Sequence, residues 1–123
     1  MAKRILVAED EPNIAKSLTF LLERAGFEVQ VESDGARIVG LIRADAPDAL
    51  LLDLMLPGAH GYDILRELRT HEATAALPVM ILTAKGQDAD RQAALAAGAT
   101  EFVTKPFSNA QVIDGVQRMV SPA

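Results

Sequence analysis

Ala49-Leu50-Leu51-Leu52-Asp53-Leu54-Met55-Leu56-Pro57-Gly58 is the stretch on which the fold turns. Its first four residues are apolar without a break. A run of that kind and length is a strand buried on both faces, as in a parallel sheet covered by helices. Asp53 ends the run directly and is followed by Leu54-Met55-Leu56, so its charge is expected to be nearly buried and to need a partner. Two similar runs stand before and after it, Ile5-Leu6-Val7-Ala8 and Val79-Met80-Ile81-Leu82. Glu28-Val29-Gln30-Val31-Glu32 instead alternates strictly, and Thr100-Glu101-Phe102-Val103-Thr104 is short and polar at both ends. Those two read as edge strands.

Helical patterns fill the intervals. Ile14, Leu18, Leu21, Leu22 and Ala25 recur at helical spacing, and Gly26 supplies the stop. A second helix is predicted over 36–44, where Ile38, Val39, Leu41 and Ile42 follow the Asp34-Gly35 turn. Leu65 and Leu68 mark the face of a third. A fourth, over about 87–97, is almost all alanine around Leu95 and ends at Gly98. The last carries Val112, Val116, Met119 and Val120 behind a capping box, Ser108-Asn109-Ala110-Gln111. Five β-α units in strict succession, joined by right-handed crossovers, imply a doubly wound α/β sheet of five parallel strands and five helices. With strands two and five at the edges the order is 2-1-3-4-5, the flavodoxin-like arrangement. Its switch point lies between strands one and three, and ligands bind there at the carboxyl ends of the strands.

The composition fits one such domain. The chain has 123 residues, 50% apolar and 24% charged, with no internal repeat or low-complexity tract. A single domain over 1–123 is expected, structured over about 3–120, with 121–123 a tail or the start of a linker. The absence of cysteine excludes a disulfide framework, a thiolate metal site and thiol catalysis. Seventeen acids against twelve bases give a net charge of −5, which argues against a domain that grips nucleic acid by itself. Met1-Ala2-Lys3-Arg4 is basic, but the apolar run behind it is too short for a signal peptide or a membrane span. A cytoplasmic location without membrane contact is the expectation.

The strand ends carry the chemistry. Strand one ends in Glu9-Asp10, strand three in Asp53, strand four in Thr83, and strand five in Lys105 followed by Pro106. Each has a plainer reading alone: Asp10 as a helix N-cap, Thr83 as a cap or turn residue, Lys105 as a solvated lysine. Their joint occurrence at four strand ends favours a site. Three carboxylates close together repel and need a cation, and an all-oxygen set suits Mg²⁺, or Mn²⁺, over zinc. A carboxylate beside such a metal can attack a phosphoryl group and form an acyl phosphate. A lysine and a threonine hydroxyl can meet the phosphoryl oxygens. The residues therefore read as a Mg²⁺-dependent phosphoryl acceptor.

With these motifs the chain resembles a response-regulator receiver domain of two-component signalling, from Lys3 to Val120. The resemblance rests on Ile5-Leu6-Val7-Ala8-Glu9-Asp10-Glu11-Pro12, on Leu51-Leu52-Asp53-Leu54-Met55-Leu56-Pro57-Gly58 with Gly61, on Ile81-Leu82-Thr83-Ala84, and on Gly98-Ala99 leading to Lys105-Pro106-Phe107. It implies that Asp53 is the phosphoacceptor and that Asp10 is a direct Mg²⁺ ligand. Glu9 would act through water, and the Met55 backbone carbonyl would complete the protein ligands. Thr83 would move toward the phosphoryl group and Lys105 would pair with it, across a Lys105-Pro106 bond expected to be cis. The donor would be a phosphohistidine on a sensor histidine kinase or histidine phosphotransfer protein. His60 and His71 match no role in the family and read as loop histidines.

The chain departs from the family pattern in places. Phe102 stands where a switch tyrosine is common, so an outward ring would lack a polar anchor and inward packing is expected. Met55 and Lys85 occupy positions that tune acyl-phosphate hydrolysis, and Met55 cannot hydrogen-bond an attacking water, so a long-lived phosphoaspartate is expected. On the helix 4–strand 5–helix 5 output face, Arg91, Glu101 and Arg118 are charged. Ala97, Thr100, Gln111 and Gly115 weaken the pattern of a winged-helix-type dimer there. Helix 4, built of alanines, is a reasonable mobile element. No output domain is present in this chain, which reads either as a single-domain regulator or as a piece cut from a longer protein. The alternatives are a phosphorylation-independent or degenerate receiver-like binding module, an FMN-binding module and a Mg²⁺-dependent aspartyl-phosphate phosphatase. The FMN module lacks its Ser/Thr/Gly-rich phosphate loop. The phosphatase would want a second Asp where Met55 stands.

Overall fold

The computed structural model of the chain describes residues 2–84 and 88–121. Lys85 lies outside the described residues, as do Pro122 and Ala123 of the expected tail. In chain order the elements are β1 (Arg4–Ala8), α1 (Pro12–Arg24), β2 (Glu28–Glu32), a 3-10 turn (Gly35–Arg37), α2 (Ile38–Ala44), β3 (Ala49–Asp53), α3 (Gly61–Thr70), β4 (Val79–Thr83), α4 (Asp88–Ala96), β5 (Glu101–Thr104) and α5 (Asn109–Val120). The strands form one parallel sheet in the order β2-β1-β3-β4-β5, with Ile5 opposite Ala49, Leu51 opposite Met80 and Ile81 opposite Phe102. This is the flavodoxin-like order expected from the sequence.

The unbroken apolar runs have a direct cause, since neighbouring strand residues serve opposite layers. Leu6, Leu50, Leu52 and Ile81 pack with Ile38 and Ile42 of α2, with Ile64, Leu65 and Leu68 of α3 and with Ala94 of α4. Ile5, Val7, Leu51, Met80 and Leu82 pack on the other face with Leu18 and Leu22 of α1 and with Val112 and Val116 of α5. Strand β2 lies at an edge, where Val31 is exposed although the alternation puts it on the side of Val29, which packs on the core.

Several ends differ in detail from the sequence reading. The N-cap of α1 is Glu11, not Asp10: the Glu11 side chain accepts from the Ile14 amide at 2.8 Å, and Pro12 opens the helix. The second helix begins as a 3-10 turn, because Asp34 caps Ala36 at 2.9 Å while the Gly35 amide donates to the Pro57 carbonyl. Ser108 and Gln111 form the expected capping box. His60 and His71 both lie outside α3, as expected, but His60 is its N-cap. The His60 Nδ1 accepts from the Tyr62 amide at 3.2 Å, and the two rings stack. In α4 the buried residue is Ala94, while Leu95 faces solvent. The Lys105-Pro106 bond is cis. Among the described residues, no helix is long and apolar enough to cross a membrane.

Candidate functional site

Strands β1 and β3 pair directly, with Ala8 opposite Leu52, so the residues that follow emerge side by side at the carboxyl edge. The sheet therefore brings together side chains far apart in the chain. One carboxylate oxygen from each of Glu9, Asp10 and Asp53 lies within 4.8 Å of the others. Glu9 and Asp53 are buried, and Asp10 is exposed. Lys105, at the end of β5, spans the two buried acids: its Nζ lies 2.8 Å from Glu9 Oε1 and 3.1 Å from Asp53 Oδ2. Its own amide donates to the Thr83 carbonyl at 2.7 Å, which ties the lysine to the end of β4.

The remaining oxygens are held as well. The Glu11 amide donates to Glu9 Oε2 at 3.1 Å, and the Met55 amide donates to Asp53 Oδ1 at 3.0 Å. Thr83, the last residue of β4, is buried beside this group, one step past the Asp53–Leu82 register pair. The Met55 side chain points into solvent. The sheet thus brings together Glu9, Asp10, Asp53 and Lys105 of the strand-end set, with Thr83 at the adjoining strand end. Two of them do not serve the plainer role open to them: Asp10 is not the helix cap, and Lys105 is not solvated.

Burial pushes the Glu9 carboxyl up from its ordinary range. The Lys105 ammonium and the Glu11 amide pull it back, and Asp53 adds to the rise. For Lys105, burial alone would lower the ammonium. The hydrogen bonds and charges of Glu9 and Asp53 outweigh it, and the net shift is upward. As formal charges, three carboxylates against one ammonium leave two negative charges unbalanced among these four groups. A hard divalent cation fits this donor set in both charge and ligand chemistry, with buried oxygens on one side and exposed Asp10 on the other.

On the adjoining face Phe102 is turned inward and packs with the α2–α3–α4 layer. The Arg91 guanidinium lies over this ring, 5.1 Å from its centroid, a contact with no signal in the local sequence. Arg118 and Glu101 pair with each other at 2.9 Å, so two of the three charges expected on this face are matched within the chain. The Glu11 cap also went unread, although an acid immediately before Pro12 is a helix-start signal.

Comparison with known proteins points the same way. The response regulator receiver domain family matches residues 5–117. The phosphate regulon transcriptional regulatory protein PhoB of Escherichia coli is 40% identical over 125 aligned residues, covering 99% of this chain and 55% of PhoB. The DNA-binding response regulator MtrA of Mycolicibacterium smegmatis is 40% identical over 117 residues, 95% of this chain and 50% of MtrA. The chain spans about half the length of the curated relatives it matches. Among solved structures, the receiver domain of a Pseudomonas aeruginosa sensor histidine kinase, with a magnesium ion coordinated in its active-site cleft, superposes with a TM-score of 0.89. It is 32% identical, with 98% of each chain covered. A receiver domain of a Francisella response regulator is 30% identical with a TM-score of 0.90, with 96% of each chain covered.

Proposed function

Because this chain belongs to the response regulator receiver family, we propose that it accepts a phosphoryl group on Asp53 from a phosphohistidine of a sensor histidine kinase or phosphotransfer protein. An Asp53 carboxylate oxygen attacks phosphorus, the P–N bond to the donor imidazole breaks, and the nitrogen keeps the electron pair. The product is an acyl phosphate on Asp53 and a free histidine on the donor. The observation that carries this reading is the Lys105 bridge between Asp53 and Glu9, beside an exposed Asp10.

Each residue has a part in that step. Lys105 already bonds Asp53 and stands ready to pair with a phosphoryl oxygen, and Thr83, one residue past the Leu82 that pairs with Asp53, would offer its hydroxyl. Asp10, Asp53 and the Met55 carbonyl would hold Mg²⁺, or Mn²⁺, which when bound neutralises charge on the phosphoryl oxygens. Both Glu9 oxygens already accept hydrogen bonds, from Lys105 and from the Glu11 amide, which supports a water-mediated part for Glu9. Thr83 and Phe102 then relay the change to the α4–β5–α5 face, which controls a partner or output region. The names of PhoB and MtrA support a transcriptional output. The chain acts as one receiver unit, structured over about 3–120, in the cytoplasm, and its acidity supports no nucleic-acid contact by this domain. It turns over only its own phosphoryl group.

Intact mass after treatment with a small phosphodonor and Mg²⁺ tests the reading. One added phosphoryl group is expected, absent in Asp53→Asn and in EDTA. No modification of a sample that binds Mg²⁺ would move the function to phosphorylation-independent binding. The adduct should persist for minutes rather than seconds, because exposed Met55 offers no hydrogen bond to an attacking water. Decay within seconds refutes that part.

A further inference from the structure

We infer that Gly35 is a positioning residue for the acidic site, holding the loop after Asp53 in place from the neighbouring turn between β2 and α2. The inference rests on the receiver reading above. The two turns meet backbone to backbone. The Gly35 amide donates to the Pro57 carbonyl at 2.8 Å. A Cβ on Gly35 would lie 2.9 Å from the Ala59 carbonyl oxygen, 3.0 Å from the Ala59 nitrogen and 3.0 Å from the Pro57 carbonyl oxygen. Those neighbours are main chain and cannot rotate aside, so any side chain at this position displaces the loop. Contact from the other side is equally close. Gly58 has φ +91°, and a Cβ there would collide with Asp34 Oδ1, the atom that caps the Ala36 amide.

Met55 sits between two anchors of this loop. Upstream, the Leu54 amide is bonded to the Leu82 carbonyl at 3.3 Å, and the Met55 amide to Asp53 Oδ1 at 3.0 Å. Downstream, the Pro57 carbonyl is held by Gly35. The Met55 carbonyl therefore belongs to a short piece of chain pinned at both ends. Displacing the downstream anchor reorients the carbonyl assigned to the metal. Gly35 touches neither metal nor phosphoryl group. It acts through Pro57, as outer-shell partners act on metal ligands.

The test compares Gly35→Ala and Gly40→Ala with the wild type. Gly40 lies on α2 with open space where its Cβ would be, so it controls for the loss of a nearby glycine. Mg²⁺ alone is titrated, binding is read from the backbone amide resonances of Asp53 and Met55, and thermal unfolding is recorded alongside. Gly35→Ala is expected to weaken Mg²⁺ binding about tenfold and to move the 54–59 amide resonances before any metal is added. Gly40→Ala should keep wild-type affinity. Wild-type affinity in a folded Gly35→Ala overturns the inference. If Gly35→Ala does not fold, Asp34→Ala carries the test, because it slackens the same turn without adding an atom. Weakened Mg²⁺ binding in it supports the anchor and unchanged binding overturns it. A wild type that binds no Mg²⁺ overturns the receiver reading and the positioning role together, and is told apart because the failure is already present without substitution.

Discussion

Helices α3 and α4 pack on the same face of the sheet, one crossover apart, yet they are held very differently. Helix α3 buries Ile64, Leu65 and Leu68, and the buried Thr74 hydroxyl donates to the Leu68 carbonyl at its end. Helix α4 buries Ala94 alone among its residues and turns Leu95 outward. Full burial of a leucine side chain stabilises by about 2 kcal/mol, against roughly 0.8 kcal/mol for one methyl-sized group. Helix α3 follows the loop that leaves Asp53, whereas α4 lies between Thr83 and Phe102. The loop that leaves Asp53 thus runs into a tightly packed helix, and under the proposed relay the segment that would respond is the one with least to lose by moving.

Core truncation is the strongest challenge to this contrast. Leu65→Ala should cost about 3 kcal/mol in denaturant unfolding, and Leu95→Ala less than about 0.5 kcal/mol. Equal costs would break the comparison. Next in size, Lys105→Ala should slow phosphoryl transfer to Asp53 about 100-fold at saturating Mg²⁺, since it removes a preorganised cation from the acceptor. Amide exchange in α4 should change little, and a variant that loosened α4 as much as the site would show that the two regions are not separable. Arg91→Ala is the converse, a change on the α4 side only. Losing the guanidinium over Phe102 should cost about 0.5–1 kcal/mol and speed exchange across α4, with the transfer rate kept. A slower transfer rate would place Arg91 in the site instead.

The same contrast explains what the sequence made legible. Strands β1, β3 and β4 could be read because both faces of each are apolar, and the strand order then fixed which ends would meet. That brought Lys105 to Glu9, 96 positions away, with no local signal linking them. Helix α3 was legible from Leu65 and Leu68. In α4 the position of the helix was readable but its buried face was not. Alanines make too weak a stripe to mark a face, so Leu95 looked like its natural apolar centre, yet it shares its side of the helix with Asp88, Arg91 and Gln92 and points to water. The Gly35–Pro57 contact was also unreadable, because it joins two turns by main-chain atoms and leaves no pattern in side-chain type.

Strand β2 at the sheet's margin bears on behaviour at high concentration. Its outer side offers unpaired main-chain groups to any other strand, the usual route to edge-to-edge polymerisation. Glu28 and Gln30 are exposed along it and Glu32 is partly so. Two such margins brought together would set acids of one molecule against acids of the next, in proteins that already repel through a charge of −5. The alternation that marked β2 as an edge is therefore also its guard against fibre growth, a guard that weakens as added salt screens the glutamates.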